Sequence, residues 1–517
     1  MKYALLSVSD KRGLVPFAEG LVSLGYTVLS TGGTAKALAA AGIPVVKVSD
    51  HTGAPEIMDG RVKTLHPRIH GGILGDRERH QADADRAGVA WIDVVVVNLY
   101  PFEAAVADAA VAPTVAEAIE RIDVGGPTMV RAAAKNHAFV TVVVDPDDYD
   151  RVLAALARGD DDGAASLRRD LAVRAFRHTA RYDAIIAGWL ADRSTAEALP
   201  SELALPLRRV STCRYGENPH QSAAFYADGS AGRSLGRLVQ LQGKELSYNN
   251  IADADAAIRA VFELDRPACC VVKHANPCGL ATADTLDEAY RQALASDPVS
   301  AYGGILAFNR RVTLADVVAI RRSKVFFEVI AAPGFDDDAA ARMADREQLR
   351  LVALPADWAA SRAAGFDAKR VQGGWLLQSW DAGAAPGWKV VTERAPTDGE
   401  AAALRFAWTA VAAVKSNAIA LAVAHGAGHR LAGIGAGQTS RVDAVRLAIG
   451  KATAPLAEAA LASDAFFPFA DGLKAAAEAG VRAVIQPGGS IRDDEVVQAA
   501  NEAGVAMVFT GIRHFRH

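Results

Sequence analysis

Residues 3–48 read YALLSVSDKRGLVPFAEGLVSLGYTVLSTGGTAKALAAAGIPVVKV, and this stretch decides the fold of the first part of the chain. Its apolar runs at 3–8, 27–30 and 45–48 have the length of buried strands. The segments between them, 13–24 and 34–41, predict helices. Strands that alternate with helices are typical of a parallel sheet with covering helices. We therefore predict an α/β fold.

The same alternation continues along the chain. It predicts strands at 94–97 and 140–144, helices at 130–135 and 164–190, and a long polar loop after residue 48. Prolines and capping residues interrupt the pattern at 194–208. We place the boundary there, with a first domain at 1–195, a linker at 196–209 and a second region at 210–517.

The second region carries a faint internal repeat. VKHAN at 272–276 precedes SDP at 296–298, and VKSN at 414–417 precedes SDA at 463–465. The two spacings differ and short patterns recur by chance, so a duplicated α/β unit and an accidental pair of motifs both stay open. A duplication predicts two subdomains, at about 210–370 and 371–517.

The composition excludes several classes of protein. The chain has 517 residues, 51% hydrophobic and 22% charged, which favours several globular domains over a disordered chain. Lys plus Arg total 56 and Asp plus Glu total 60, so no basic excess points to nucleic acid. No apolar run approaches the ~18–20 residues of a membrane span. Four cysteines without a C-x-x-C pair are typical of a reducing compartment, and we predict a cytoplasmic protein.

Glycine and hydroxyl residues follow the first two strands. VLSTGGTAK at 28–36 is a strand, a turn and a helix start, whose unpaired amides suit a phosphate, with hydroxyls from Thr31 and Thr34. A turn with Thr34 as N-cap explains the same residues without a ligand. SVSDK at 7–11 either lines the same pocket or caps the next helix.

Three further strings of the first domain carry candidate catalytic groups. In GRVKTLHPRIHGG at 60–72, Lys63 is either a fixed oxyanion partner, which we favour, or part of a solvated loop. In NLYPF at 98–102, Tyr100 is either a core residue or a pocket acid. In DVGGPTMVRAAAKN at 123–136, Asp123 and Lys135 handle a proton together if they meet, or else belong to a surface helix.

A lysine and a histidine stand side by side in the second region, within CVVKHANPCG at 270–279. Burial lowers the pKa of both types, which favours a neutral His274 that accepts a proton beside a Lys273 that polarises a carbonyl. His274 and Cys278 are four residues apart and resemble parts of a zinc-deaminase site. Asn276 stands where its glutamate belongs and Ala281 where its second cysteine belongs, so we expect no metal.

Several other strings predict ligand contacts. RYGENPHQ at 214–221 reads as a binding loop, and LSYNN at 246–250 as a binding loop or a structural turn. Glycines at 303–304, 433–437 and 488–489 let a ring or a phosphate approach the backbone. The phenylalanines at 466–469 either stack on an aromatic ligand or fill the core.

Together these strings resemble the family of bifunctional purine biosynthesis enzymes that join an aminoimidazolecarboxamide ribonucleotide formyltransferase to an inosine monophosphate cyclohydrolase. The resemblance runs almost end to end, through STGGTAK, GRVKTLHP, IHGGIL, NLYPF, DVGGPTMVRAAAKN, RYGENPHQ, VVKHANPCG, SDPVSAYGGILAF, KSNAI, GAGQTSR and SDAFFPF. It implies a methylglyoxal-synthase-like parallel-sheet domain, then a duplicated cytidine-deaminase-like α/β region without zinc. It also implies formyl transfer from the co-substrate 10-formyltetrahydrofolate, followed by ring closure with loss of water.

For the cyclohydrolase site, the resemblance implies Lys135 as proton donor and acceptor, with Lys63, Tyr100 and Asp123 arranging the reacting groups. A carboxamide nitrogen is a poor nucleophile, so placement and oxyanion stabilisation must supply much of the rate. The nucleotide is expected to contact Ser9, Asp10, Lys11, Thr31, Gly32, Gly33, Thr34, Arg61, Val62, Thr64, Val97, Asn98 and Val124.

For the transferase site, the resemblance implies that His274 takes the proton from the amine and Lys273 stabilises the oxyanion. The ribonucleotide is expected to contact Arg214, Tyr215, Gly303, Glu328, Asn417, Arg441, Phe466 and Arg513, and the folate Val442, Asp471, Gly488 and Gly489. Glu328 departs from the aspartate of some family members. Family sites are shared across a dimer interface, so we expect a homodimer that binds small molecules, with no nucleic acid and no membrane.

Two other functions remain as alternatives to the two-step enzyme. A catalytically silent nucleotide-binding regulator on the same scaffold is expected to lose groups such as Lys135, Lys273 or His274, and all three are present. The second alternative is a lyase joined to a zinc deaminase. This sequence argues against it, because Asn276 and Ala281 stand where the deaminase needs a glutamate and a cysteine.

Overall fold

The computed structural model describes residues 1–107, 113–159, 161–192, 199–229, 233–361, 365–381 and 387–517. The chain divides into two compact units, Met1–Leu207 and Arg208–His517. Each unit has a buried apolar core of its own.

The first unit alternates strands and helices. Its strands are β1 (Lys2–Val8), β2 (Tyr26–Ser30), β3 (Val45–Lys47), β4 (Ile92–Asn98) and β5 (Thr141–Val143). Its helices are α1 (Leu14–Ser23), α2 (Gly32–Ala40), α3 (Val48–Thr52), α4 (Pro67–Leu74), α5 (Gln81–Ala87), α6 (Phe102–Ala107), α7 (Val115–Ile119), α8 (Gly125–Lys135), α9 (Tyr149–Arg158) and α10 (Asp161–Ala191). The strands and helices that the apolar pattern predicts are confirmed, with ends that shift by a few residues.

The five strands form one parallel sheet in the order β3-β2-β1-β4-β5. The central strand β1 buries Leu5 and Leu6, whose side chains point to opposite faces of the sheet. The predicted α/β fold with a parallel sheet is therefore confirmed. Because all five strands run in one direction, their carboxyl ends lie at one edge of the sheet, and α2 begins there directly after β2.

The long polar loop expected after residue 48 is wrong, because α3, α4 and α5 occupy it. Pro67 opens α4, and the Nδ1 atom of His66 accepts a hydrogen bond from the backbone N–H of Arg68 at 3.1 Å. Ile69 and Ile73 are buried one turn apart. The polar residues between these two isoleucines hid a helix whose apolar positions recur every four residues.

The second unit is also α/β. Its strands are β6 (Arg208–Cys213), β7 (Ala223–Ala227), β8 (Val239–Gln242), β9 (Ala268–Lys273), β10 (Asn276–Thr282), β11 (Gly304–Phe308), β12 (Phe327–Ala332), β13 (Arg350–Ala353), β14 (Asp367–Val371), β15 (Gly374–Gln378), β16 (Lys389–Val390), β17 (Ile419–His425), β18 (Gly428–Gly435), β19 (Ala460–Ser463), β20 (Ala483–Gln486) and β21 (Ala506–Phe509). Its helices are α11 (Tyr248–Phe262), α12 (Leu286–Ser296), α13 (Leu314–Ser323), α14 (Asp337–Met343), α15 (Asp398–Ala412), α16 (Arg441–Gly450), α17 (Asp471–Glu478) and α18 (Asp493–Glu502).

Twelve of these strands form a single sheet, which consists of two copies of one topology. The sheet order is β16-β21-β20-β19-β17-β18-β10-β9-β11-β12-β13-β8. The first repeat, residues 239–353, runs β8-α11-β9-β10-α12-β11-α13-β12-α14-β13. The second repeat, residues 389–509, runs β16-α15-β17-β18-α16-β19-α17-β20-α18-β21 and matches it element for element. β10 and β18 pair where the repeats meet.

The duplication that the sequence left open is therefore present, but the strings that suggested it are not equivalent. VKHAN spans the end of β9 and the start of β10, whereas VKSN lies before β17. The β6–β7 and β14–β15 hairpins form two small separate sheets. Of the helices in the described part of the chain, none combines the length and the apolar character that crossing a bilayer requires.

Candidate active sites

The first candidate site lies at the carboxyl edge of the parallel sheet. Asn98, the last residue of β4, accepts hydrogen bonds at its Oδ1 atom from the backbone N–H groups of Ser9 and Asp10, at 2.6 and 2.8 Å. Its Nδ2 atom donates to the carbonyl oxygen of Asp10 at 3.2 Å. The segment after β1 is thus held against the end of β4, which brings together three of the predicted nucleotide contacts.

The glycine turn after β2 presents backbone amides at the same edge. Thr31 is the N-cap of α2, its side chain makes no capping hydrogen bond, and Gly32 has a φ of +50°. The Thr34 hydroxyl accepts from the N–H of Val8 at 3.0 Å and lies 3.1 Å from the Val8 carbonyl oxygen, to which it donates. The Thr34 hydroxyl thus has both its donor and its acceptor in β1, and its contact with a phosphate stays a prediction. The groups that this turn presents to an anion are the backbone N–H groups at the start of α2.

Lys63 lies between this turn and Asp123. A Cβ atom placed on Gly32 would be 3.4 Å from the Lys63 ammonium nitrogen, so the amine is beside the glycine turn. The Lys63 charge also acts on the carboxyl of Asp123, where it opposes a rise in pKa. An ammonium group next to a helix N-terminus and a half-buried carboxyl can stabilise an oxyanion and exchange protons.

Asp123 is held in place from two sides. Its Oδ1 atom accepts from the N–H of Gly126 at 2.8 Å, and its own N–H donates to the Tyr182 hydroxyl at 2.8 Å. Burial raises the pKa of the Asp123 carboxyl, although the Gly126 hydrogen bond and the Lys63 charge act in the opposite direction. Sequence reasoning missed Tyr182, because nothing marks a tyrosine inside the long helix α10 as a neighbour of a loop 59 residues earlier.

The remaining predicted contacts of this unit differ in how they are placed. Thr64 is buried and packs against the first residue of α8: a Cβ atom placed on Gly125 would be 2.8 Å from the Thr64 hydroxyl oxygen. Tyr100 is 61% exposed, so the alternative of a core residue is wrong. Val97 is buried within β4, and Arg61 pairs with Glu120. Lys11, Gly33 and Val124 are exposed, and Val62 is half-buried.

Lys135 is not brought into contact with Asp123. It is the last residue of α8, whose eleven residues rise about 15 Å from its start near Asp123. The next residue, Asn136, donates from its Nδ2 atom to the carbonyl oxygens of Ile73 and Gly75, at 2.6 and 3.1 Å. Within one chain, Lys135 therefore lies at the opposite end of the helix from the other candidates.

The second candidate site is centred on the turn between β9 and β10. Lys273 and Asn276 pair across this hairpin, and the two loop residues His274 and Ala275 have φ values of 58° and 59°. The Lys273 Nζ atom donates to the carbonyl oxygen of Tyr302 at 2.6 Å, next to Gly303. The Oδ1 atom of Asn276 accepts from the N–H of Lys415 at 3.0 Å, so this turn of the first repeat touches the second repeat two residues before Asn417.

A buried arginine organises the second repeat's share of the site. Arg441 donates from Nη2 to the Oδ1 atom of Asn417 at 2.7 Å and from Nη1 to the carbonyl oxygen of Ala418 at 3.0 Å. It also pairs with Asp464, and both side chains are almost fully buried. Sequence reasoning used Asp464 only as part of a repeat string and missed it as the partner of Arg441.

The first turns of α11 connect three other segments that carry predicted contacts. Asn249 donates to the carbonyl oxygen of Glu217 at 3.4 Å, in the loop that carries Arg214 and Tyr215. Asn250 donates to the Oε2 atom of Glu328 at 2.8 Å. Asp253 accepts from the N–H groups of His274 and Ala275 at 3.3 and 2.6 Å. LSYNN, which the sequence singled out as a binding loop or a structural turn, is thus a helix start with a capping box. Asp253 lies outside that string and did not stand out in the sequence.

The predicted folate contacts and two predicted ribonucleotide contacts lie in or just after the second repeat. Gly488 and Gly489 have φ values of 71° and 96°, and the N–H of Gly489 donates to Asp493 at 2.6 Å. Asp471 begins α17, and Val442 is in the first turn of α16. Phe466 is half-buried after β19, and the Arg513 guanidinium lies 4.6 Å from the centre of the Phe515 ring. Among the described residues, no hydrogen bond or ion pair joins these groups to His274.

The cysteine that resembled a zinc ligand is a partly buried thiol. Cys278 donates to the carbonyl oxygen of Val271 at 3.4 Å, and burial raises its pKa to about 12. Across the described ranges of the chain, no group of three or more His, Cys, Asp or Glu side chains is arranged to hold a metal ion.

Comparisons with known proteins cover both units. The family model described as AICARFT/IMPCHase bienzyme matches residues 133–451, and the model of an MGS-like domain matches residues 13–128. A bifunctional purine biosynthesis protein PurH from Magnetococcus marinus is 53% identical over 537 residues, which covers 100% of this chain and 99% of that protein. The protein of the same name from Acidithiobacillus ferrooxidans is 52% identical and covers 99% of both chains. A solved structure titled "Crystal structure of ForH" is 40% identical, covers 37% of this chain and 98% of its own, and has a TM-score of 0.33.

Proposed function

The chain belongs to the AICARFT/IMPCHase family of bienzymes, and from that premise we propose which of its residues perform the two reactions. The protein catalyses the last two steps of purine biosynthesis. It transfers a formyl group from 10-formyltetrahydrofolate to aminoimidazolecarboxamide ribonucleotide, and it then closes the ring to inosine monophosphate. We assign formyl transfer to the second unit and cyclisation to the first.

The turn between β9 and β10 carries the proposal for formyl transfer. The amine nitrogen of the ribonucleotide attacks the formyl carbon, a tetrahedral oxyanion forms, and the bond from that carbon to N10 of the folate breaks. His274 accepts the amine proton and returns it to the leaving nitrogen, while the Lys273 ammonium group stabilises the oxyanion. The 2.6 Å hydrogen bond from Lys273 to the carbonyl of Tyr302 supports this role, because it fixes the ammonium group beside the turn.

The other proposed contacts of the transferase place its two substrates. Arg441 and Asn417, which are joined by a hydrogen bond of 2.7 Å, form a fixed pair for the ribonucleotide. Further ribonucleotide contacts are Arg214, Tyr215, Gly303, Glu328, Phe466 and Arg513, and the folate contacts are Val442, Asp471, Gly488 and Gly489. The positive φ values at both glycines support the folate assignment, because a flat ring can approach a backbone without side chains.

Lys63 and Asp123 carry the proposal for cyclisation. The carboxamide nitrogen attacks the formyl carbon of the same molecule, and water leaves from the tetrahedral intermediate. Because burial raises its pKa, the Asp123 carboxyl exchanges a proton near neutral pH more readily than an exposed aspartate. Lys63 stabilises the oxyanion, Tyr100 donates a hydrogen bond to the reacting groups, and the amides at the start of α2 bind the phosphate.

Lys135 is the assigned catalytic residue that the geometry of one chain separates from the others. The resemblance gives it the proton-transfer role, and its place at the far end of α8 favours Lys63 and Asp123 instead. The test is to measure cyclisation of supplied formamido nucleotide by the Lys63→Met and Lys135→Met variants. The geometry predicts that Lys63→Met loses more cyclisation activity. Equal losses would return Lys135 to the mechanism and require that it reach the site from another copy of the chain.

We also propose that the protein is a homodimer whose transferase sites lie at the interface. Exposed apolar side chains on the β6–β7 and β14–β15 hairpins, Val210, Tyr226, Trp375 and Leu376, support a covered surface there. Light scattering tests the dimer, and Leu376→Asp is expected to weaken it. Mixing inactive His274→Ala and Arg441→Ala proteins tests sharing: restored transfer supports shared sites, and no restoration would confine each site to one chain.

We assign the protein to the cytoplasm. All four cysteines are free thiols, which is typical of a reducing compartment. Fractionation of cells that express the tagged protein tests this assignment, and recovery outside the cytoplasmic fraction would overturn it.

One assay tests the division of labour between the units. Purified protein receives both substrates of the first step, and the formamido nucleotide and inosine monophosphate are separated and measured. His274→Ala is expected to abolish transfer and to leave cyclisation of supplied intermediate intact, and Asp123→Asn to do the reverse. A folded variant that lost both activities would contradict this division. A wild-type protein that bound its ligands without turnover would instead support the silent regulator.

A further inference from the structure

The turn that carries His274 has a backbone conformation that its residues do not favour. His274 and Ala275 both take positive φ values, 58° and 59°, and neither is a glycine. Two positive φ values in a two-residue loop have the pattern of a type I′ turn, in which Gly, Asn and Asp are preferred. A Cβ atom makes this region costly, so the turn needs support from outside itself.

Asp253, on the second turn of α11, supplies that support. Its Oδ2 atom accepts from the N–H of His274 at 3.3 Å, and its Oδ1 atom accepts from the N–H of Ala275 at 2.6 Å. One carboxylate thus binds two consecutive amides that point the same way, and hydrogen bonds to an ionised acceptor are stronger than neutral ones. The Nδ2 atom of Asn276 closes the turn by donating to the carbonyl of His274 at 3.1 Å.

The second repeat provides an internal comparison for this contact. Helices α11 and α15 each have fifteen residues and begin with capping boxes at Ser247 and Thr397, so Asp253 corresponds to Ala403. The equivalent hairpin pairs His425 with Gly428 and uses Gly426, at a φ of +55°, as its left-handed residue. The carboxylate is present in the repeat whose turn has side chains at positive φ, and alanine replaces it in the repeat whose turn uses glycine.

We propose that Asp253 is a positioning residue for formyl transfer, which holds the His274–Ala275 turn in its left-handed conformation and so fixes the direction of the His274 side chain. This inference rests on the proposed role of His274. Asp253 does not touch the reacting atoms. Its removal leaves substrate contacts such as Arg441 in place, so the rate constant of the step is affected and the binding of substrates is not.

The test is Asp253→Ala combined with a backbone rescue. Asp253→Ala is expected to lower kcat for formyl transfer by about 10- to 100-fold, the scale expected for a misplaced catalytic group, and to change KM for either substrate less than threefold. Adding Ala275→Gly is expected to recover most of the loss, because glycine adopts positive φ without the carboxylate. Glu263→Ala, which removes one negative charge at the other end of α11, is the matched control and is expected to retain full activity.

Each outcome decides the proposal. Full transfer activity in Asp253→Ala would overturn it, as would a loss that appears mainly in KM or one that Ala275→Gly does not rescue. If Asp253→Ala does not fold, Asp253→Asn replaces it: an amide offers one acceptor oxygen for two N–H groups, so an intermediate loss in kcat with the same rescue is expected. Full activity in His274→Ala would instead refute the proposed function, which this experiment measures separately.

Discussion

The two repeats of the second unit share one topology and differ in the chemistry of the same hairpin. In the first repeat, the loop residues are His274 and Ala275, and a carboxylate on the preceding helix holds them. In the second repeat, glycine supplies the left-handed residue, and His425 pairs with Glu288 at 2.7 Å. The first turn thus accepts a strained backbone in order to present a histidine, whereas the second adopts its turn without strain. The fold requires a hairpin at both places, and only the proposed function requires the histidine.

A second pair of equivalent positions teaches the same lesson with charge. Asn309 follows β11, and its Oδ1 atom accepts from the N–H of Ala268 at 2.8 Å. Asp464 follows the equivalent strand β19, and its Oδ1 atom accepts from the N–H of Ala418 at 3.1 Å. Both repeats need an acceptor at this position. The second repeat uses a charged acceptor because Asp464 also holds Arg441.

The largest expected effect concerns the two hairpin histidines. His274→Ala is expected to lower formyl transfer by about 10²- to 10⁴-fold, the usual contribution of a general base. His425→Ala, at the equivalent hairpin of the second repeat, is expected to change transfer less than threefold, because it removes only a partly exposed hydrogen bond to Glu288. Steady-state rates of formamido nucleotide formation measure both. Similar losses in the two variants would refute the functional difference between the repeats.

The next largest effect is expected when each of the two buried acceptors is replaced by the residue found in the other repeat, as in Asn309→Asp and Asp464→Asn. Asn309→Asp turns a carboxylate oxygen toward the carbonyls of Leu264 and Arg266, to which the amide of Asn309 now donates at 2.9 and 2.8 Å. Asp464→Asn leaves the Arg441 charge buried without its partner. Each is expected to lower the free energy of unfolding by about 3–5 kcal/mol, measured in urea, because each leaves a buried charge uncompensated.

Function separates these two variants. Asp464→Asn is expected to impair transfer as well, since Arg441 and Asn417 share its hydrogen-bond network. Asn309→Asp, measured well below its unfolding midpoint, is expected to retain transfer. A loss of less than 1 kcal/mol in Asn309→Asp would show that the first repeat tolerates the charge, and the equivalence of the two positions would fail.

A smaller effect is expected from removing the N-cap hydroxyls of the equivalent helices α11 and α15. Ser247→Ala and Thr397→Ala each remove a hydroxyl that accepts from the N–H three residues on, at 3.1 and 3.3 Å. Each is expected to lower the free energy of unfolding by about 1 kcal/mol. Only Ser247→Ala is expected to lower transfer, by severalfold, because the first turn of α11 carries Asn250 and its contact to Glu328. Equal rates in both variants would contradict this asymmetry.

The fold could be predicted from local signals in the sequence, whereas contacts between residues far apart in the sequence could not. The strands of the first unit were predictable because their apolar runs are continuous, and the turn at Gly32 because glycine and N-cap residues act within a few positions. Helix α4 was missed because Ile69 and Ile73 are the only large apolar side chains among its buried residues. The strings left the repeat open, and they occupy different places in the two copies, because the two copies share their order of strands and helices and not these short motifs.

The candidate sites show the same limit. Lys273 and His274 were predictable because they are adjacent and follow an apolar strand. Asp253 was not, since an aspartate inside an alanine-rich helix carries no sign that a turn 21 residues later depends on it. The separation of Lys135 from Asp123 likewise appears only when α8 is seen to be one continuous helix.

The smallest expected effect is the pH dependence of the contact that holds the second hairpin. Hydrogen bonds from Arg291 first, and then from Gln292 and His425, lower the pKa of Glu288 from 4.5 to about 2. A carboxyl whose pKa is lower in the folded state stabilises it above the unfolded-state pKa, and this contribution disappears as the pH falls through the folded-state pKa. The stability difference between wild type and Glu288→Gln is therefore expected to shrink as the pH falls from 5 to 2.

Glu288 is partly exposed, so that difference is expected to stay below about 1 kcal/mol and to shrink further in 1 M salt. Urea unfolding at pH 5, 4 and 3, with and without salt, measures it. Formyl transfer at neutral pH is expected to be the same in both proteins, because Glu288 contacts the hairpin without the catalytic histidine. A Glu288→Gln variant that lost transfer would join the second hairpin to the reaction and remove the distinction between the two turns.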